Sequence, residues 1–139
     1  MANQVIKGCG HHHVALYVSD FDRSMEFYTK ALGFVKLNEW LHKGERVSML
    51  DVGDGTILEM FASKKLAENP GKLGGGLYWH LCFKADDVDA AYNAAIAGGA
   101  TKAQEPMDIT IADAMPAPFQ LRNAFVIGFD GESIEFFKG

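Results

Sequence analysis

The sequence predicts an α+β domain built from two tandem β-α-β-β-β modules, and three observations predict it. A histidine followed seven residues later by an aspartate occurs twice, as His13 with Asp20 and as His80 with Asp87. An apolar residue and a second aspartate come next in both copies, Phe21-Asp22 and Val88-Asp89. The segment 54–61, Asp-Gly-Thr-Ile-Leu-Glu-Met-Phe, is echoed at 130–137 by Asp-Gly-Glu-Ser-Ile-Glu-Phe-Phe. Two copies of a long unit make an internally duplicated domain rather than a solenoid. The 139 residues fit one domain, 1–139, with modules at about 11–62 and 77–138.

In the first module, residues 13–18 alternate, with Val14, Leu16 and Val18 on one face and His13, Ala15 and Tyr17 on the other. Ser19 or Asp20 suits a helix N-cap. Phe21, Met25, Tyr28 and Leu32 then recur at helical spacing, and Gly33 suits the position just past the helix end. Strands are expected at 34–41, 45–52 and 56–61, with turns at Gly44 and at Gly53-Asp54-Gly55. Residues 63–76 form the joint, rich in Lys, Asn, Pro and Gly, where Leu66 and Ala67 allow a short helical turn.

The second module starts at Leu77. Leu81 and Phe83 face one side of its first strand, and His80 and Cys82 the other. Asp86 or Asp87 caps a helix carrying Val88, Ala91, Tyr92 and Ala95, which Gly98-Gly99 ends. Strands are expected at 100–107, 119–128 and 133–138. The His-to-Glu distance is nine residues longer than in the first module, and the extra length is expected in a loop at 108–118, which holds Pro116 and Pro118. That loop reads as a lid or as a rigid surface loop. Such alternation of single helices with mostly antiparallel strands is the α+β plan.

Composition excludes several classes. The 13 basic and 18 acidic side chains give net charge −5, with no basic stripe to meet nucleic acid. No long apolar run and no signal-peptide pattern is present, so no membrane partner is expected. Cys9 and Cys82 make neither a disulfide framework nor a zinc-finger spacing, which points to a reduced, cytoplasmic protein.

Each module thus opens with a histidine, His13 or His80, and closes with a glutamate, Glu59 or Glu135, among apolar neighbours on both sides. A buried carboxylate without a partner is costly. The same cost at the same place in both copies points to one shared partner, and a divalent cation held by two imidazoles and two carboxylates satisfies all four groups. The competing account pairs each glutamate with an Arg or Lys and leaves each histidine in the core.

The run 13–20, His-Val-Ala-Leu-Tyr-Val-Ser-Asp, with Ser24, Phe27-Tyr28 and Leu32-Gly33-Phe34, resembles the opening of the vicinal oxygen chelate superfamily. That group holds glyoxalase I, bleomycin-resistance proteins, extradiol dioxygenases and methylmalonyl-CoA epimerase. The segments 79–99 and 130–137 resemble the same family, so the likeness spans roughly residues 11–138. It implies βαβββ modules forming a curved mixed sheet around a metal site. By position the metal ligands are His13, Glu59, His80 and Glu135, the two-His, two-carboxylate set of glyoxalase I. The resemblance further implies one divalent ion per site (zinc, nickel, manganese or cobalt ahead of iron), a small-molecule substrate and a homodimer.

The implied chemistry is that of a metal-dependent lyase or isomerase of glyoxalase I type, resembling lactoylglutathione lyase. Adjacent substrate oxygens chelate the ion, which stabilises an enediolate. A glutamate carries the proton from one carbon to the next, with Glu135 the better candidate for base and Glu59 the other. The alternatives are an extradiol-type dioxygenase and a non-catalytic drug- or metabolite-binding resistance protein of the same fold. The likeness weakens at Tyr17, where glutathione-dependent members commonly carry an Arg. Arg122 and Lys36 offer a replacement cation or are solvated surface charges. Cys82 is a small core filler or a cavity-lining thiol, His11 and His12 adjoin the chosen His13, and His42 is a loop or strand-end residue. Trp40, Trp79 and Phe119 wall the pocket or pack in a core or interface.

Overall fold

A computed structural model describes residues 11–69, 79–112, 114 and 117–139. The elements repeat in the expected order. The first module comprises β1 (His13–Val18), α1 (Phe21–Glu26, continued by a π-helical turn, Phe27–Ala31), β2 (Val35–His42), β3 (Glu45–Asp51) and β4 (Ile57–Ala62). A short α2 (Lys64–Glu68), capped by Ser63, fills part of the expected joint. The second module comprises β5 (Leu81–Lys84), α3 (Val88–Ala97), β6 (Thr101–Ile111), β7 (Phe119–Ile127) and β8 (Ser133–Lys138). The start of the second module at Leu77, like Cys9, lies outside the described residues.

Each module makes its own four-stranded sheet, ordered β1-β4-β3-β2 and β5-β8-β7-β6. The first strand pairs in parallel with the last, and the other pairings are antiparallel. The glutamate-bearing strands β4 and β8 therefore lie inside their sheets, flanked on both edges. One face of each sheet packs into the core: Leu58 and Met60 of β4, and Ile134 and Phe136 of β8, are at most 4% exposed. Strand periodicity then turns Glu59 and Glu135 to the opposite face.

Asp20 and Asp87 cap the two helices through their side chains. The first helix departs from the expected α-helical stripe. Its last turn is π-helical, with the Leu32 amide bonded back to the Phe27 carbonyl. The wider turn brings neighbouring Phe27 and Tyr28 inward together, so both are buried, while Met25 and Leu32 of the expected stripe are only partly buried. Gly33 follows at φ 75°, a conformation that favours glycine.

The second module corrects the expected loop at 108–118. β6 continues through Ile111, so residues 108–111 are strand. β6 and β7 have 11 and 9 residues where β2 and β3 have 8 and 7, and the link between them is residues 112–118 rather than Lys43-Gly44. The extra length is thus shared between longer strands and a longer connection. Pro106, inside the expected strand, sits where the β6–β7 register shifts between Gln104 and Met107. Proline is tolerated at such a bulge on an edge strand.

One core cluster draws on both modules. The turn at Asp130-Gly131-Glu132 docks on the first helix: the Ser19 amide donates to Asp130 at 3.0 Å and the Tyr28 hydroxyl to Glu132 at 2.9 Å. Phe129 meets Phe27 edge-on and lies under the Arg23 guanidinium. At Gly98, just past α3, an added Cβ would collide with the Cβ of Ala31. The backbone there is ordinary αR, so the constraint is space alone. Gly98→Ala should cost about 1–3 kcal/mol by forcing the two helices apart. A urea melt checks it, and a variant as stable as the parent would show that the helices have slack.

Candidate functional site

One histidine lies beside one glutamate in each module. His13 opens β1, and its Nε2 lies 3.5 Å from Glu59 Oε2. His80 stands one residue ahead of β5, and its Nε2 lies 3.1 Å from Glu135 Oε2. Both carboxylates are buried, at 9% and 8% exposure. The fold explains the pairing: the first strand lies parallel beside the last, so its opening histidine reaches the glutamate two residues along the neighbouring strand.

The pairs do not come together. Among the described residues no three His, Cys, Asp or Glu side chains gather closely enough to hold one ion. Among the described residues neither glutamate pairs with an Arg or Lys. Among the described residues His80 Nδ1 is buried without a hydrogen-bond partner. A ligating imidazole ordinarily donates its second N–H to an oxygen, and no described residue places one there.

The faces around the pairs are apolar and open. Tyr17, on the Glu59 face, is 59% exposed and packs on Phe61. Trp40 also lies on that face through its rung with Val47. Trp79 is 79% exposed and stacks edge-on against His80. Phe119 is exposed at the start of β7. None of these rings is in the core. His42 ends β2, with its ring edge-on to Phe61. His12 Nδ1 lies 2.8 Å from His13 Nδ1, so it is a neighbour of the first pair.

Cys82 lies on the Glu135 rung and lines a cleft of about 370 Å³ with Asp54, Thr56, Lys84 and Asp86. Partial burial and then the neighbouring Glu135 carboxylate push its pKa up to about 12. It is therefore a poor nucleophile. Arg122 points away from Glu135: it holds Asp89 through two nitrogens, at 2.7 and 2.8 Å, and Asp108 through a third at 3.0 Å. Lys36 pairs with Glu39. Both are thereby accounted for as surface ion pairs.

Sequence reasoning missed Asn123 and Gln104. Asn123 is 7% exposed, and its Nδ2 donates to Glu135 Oε1 at 2.7 Å. Its Oδ1 accepts from Gln104 Nε2 at 2.9 Å. Only the β7–β8 and β6–β7 registers bring these amides to the glutamate.

Comparison with known proteins bears on the family and the fold. A family model described as the Glyoxalase/Bleomycin resistance protein/Dioxygenase superfamily matches residues 10–119. A probable lactoylglutathione lyase of Vibrio cholerae is 29% identical over 99 residues, covering 68% of this chain and 70% of that protein. The crystal structure of SMU.1112c superposes with TM-score 0.68 at 29% identity, covering 95% of this chain and all of the other. The trypanothione-dependent glyoxalase I of Leishmania major shares the fold, with TM-score 0.70, 24% identity and coverage of 94% and 87%. No helix among the described residues is long and apolar enough to cross a membrane.

Proposed function

The chain belongs to the Glyoxalase/Bleomycin resistance protein/Dioxygenase superfamily, and from that premise we propose that it is a divalent-metal-dependent lyase or isomerase of glyoxalase I type acting on a small oxygenated substrate. The observation that carries the reading is the repeated pair: a buried glutamate facing a histidine at equivalent places in both modules. Imidazole nitrogen and carboxylate oxygen are the donors that suit zinc, nickel, manganese or cobalt. His13, Glu59, His80 and Glu135 are the residues that would hold the ion. Each pair supplies two donors, and one chain keeps the pairs apart. The site is therefore completed between two copies, the first pair of one chain meeting the second pair of the other. The exposed Tyr17, Trp40 and Trp79 beside the pairs would be covered in such a homodimer.

A bound divalent ion would supply Lewis-acid polarisation of neighbouring substrate oxygens. The residues of the chain do the rest. Glu135 takes a proton at Oε2 from the carbon next to a carbonyl and returns it to the adjacent carbon. Glu59 is the second carboxylate within the set. The exposed rings shield the reacting atoms from water. Tyr17 stands where an Arg would reach a glutathione carboxylate, so the thiol partner is a smaller or less acidic one. A reducing cytoplasm suits the free Cys82.

Metal content tests the reading. Protein purified without chelator should carry about one divalent ion per chain, and His13→Ala and Glu135→Ala should each lose it. A parent that holds no ion and takes up none from added zinc, nickel or manganese would turn the assignment to a metabolite-binding protein of the same fold.

A further inference from the structure

The duplication lets each site residue be compared with its own counterpart, and the match breaks around the glutamates. Glu135 lies between Cys82 on β5 and Phe125 on β7, with Asn123 on the same face opposite Phe137. In the first module Glu59 lies between Ala15 on β1 and Met49 on β3, with Val47 opposite Phe61. Ala15 therefore answers to Cys82, and Val47 to Asn123. Two side chains engage Glu135, namely His80 and Asn123. Glu59 meets His13 alone among the described residues.

Asn123 is fully committed. A carboxylate accepts hydrogen bonds, so the amide turns its NH₂ to Glu135 and its oxygen away. Gln104 meets that oxygen with its own NH₂, which holds the Asn123 amide against rotation. With Asn123 on Oε1 and His80 facing Oε2, both oxygens of Glu135 are distinguished.

We infer that Asn123, braced by Gln104, is a positioning residue: it occupies one oxygen of Glu135 and leaves Oε2 as the single atom through which that carboxylate engages an ion or a proton. This rests on the metal-dependent reading above. The two carboxylates of the duplicated site are then not interchangeable. Glu135 acts from a fixed orientation. Glu59, with Ala15 and Val47 beside it, can present either oxygen.

The test is calorimetric titration of zinc into metal-free protein, for the parent, Asn123→Val, Gln104→Met and the double variant. Asn123→Val installs the residue the first module already uses. It should weaken zinc binding about 10–100-fold, the usual effect of losing a ligand's outer hydrogen-bond partner. Gln104→Met should give a smaller loss in the same direction. The double variant should be no worse than Asn123→Val, because the coupling runs through one amide. The absorption bands of bound cobalt should also move in Asn123→Val, which a change in packing away from the ligand would not produce. If Asn123→Val does not fold, Gln104→Met carries the test, and unchanged zinc affinity there overturns the inference. A parent that binds zinc, with both variants within about twofold of it, overturns the positioning role and leaves the metal site standing. A parent that takes up no zinc overturns both.

Discussion

Glu135→Gln should lower turnover by about 10²–10⁴-fold, the usual contribution of a positioned general base. The substitution is close to isosteric. Asn123 can still donate to the side-chain carbonyl oxygen at the Oε1 position, so the local packing has little reason to change. What disappears is the ability of the other terminus to accept a proton. An interaction used only in the transition state should lower kcat and kcat/KM together and leave KM nearly unchanged. The measurement is steady-state kinetics on the hemithioacetals of methylglyoxal with several thiols, beside metal analysis of the same preparations. Unchanged turnover would exclude Glu135 as base and pass the role to Glu59. Loss of turnover together with all of the metal would make Glu135 a ligand first.

That experiment was legible in the sequence because duplication makes a pattern out of residues that are individually ambiguous. A histidine opening a strand is commonplace, but His13 and His80 stand at the same distance from their helix caps Asp20 and Asp87. Glu59 and Glu135 carry apolar neighbours on both sides because their strands lie inside the sheets, and that burial was written in the sequence. Asn123 and Gln104 were not legible. A polar residue in a strand usually marks a solvent-facing position, and its role depends on which residue stands across the ladder, a long-range fact. The end of β6 failed for a related reason. The strand expected at 100–107 runs on to Ile111, and the long pairing with β7 that carries it is a fact of register rather than of local pattern. The π-helical turn was hidden because the consecutive Phe27 and Tyr28 fit an α-helical stripe as well as a π-helical one. The separation of the two histidine–glutamate pairs lay beyond sequence as well, since local pattern builds each module and only their mutual packing decides which faces meet.

That packing leads to the second large effect. Tyr28→Ala should cost about 3–5 kcal/mol, as for other buried aromatic truncations. Tyr28 has no exposed surface, its ring packs on Phe27 and Phe34, and its hydroxyl crosses to Glu132 of the other module. Against a typical stability of about 5–15 kcal/mol, such a loss removes a large share of the whole. A chemical melt measures it, and a cost below about 1 kcal/mol would mean that the modules do not depend on this bridge. The same bridge makes stability depend on pH. Burial raises the pKa of Glu132 above the ordinary carboxylate range, against the opposing hydrogen bonds from Tyr28 and the backbone. The folded protein then binds that proton more tightly than the unfolded chain does. The resulting stabilisation is full below the unfolded pKa and is lost as pH rises through the raised folded value. Glu132→Gln carries no proton to lose. The melting temperature of the variant should therefore gain on the parent between about pH 4 and pH 8. Parallel curves across that range would show that Glu132 ionises alike in both states, and that the contact between Tyr28 and Glu132 rests on the hydrogen bond without any penalty of burial.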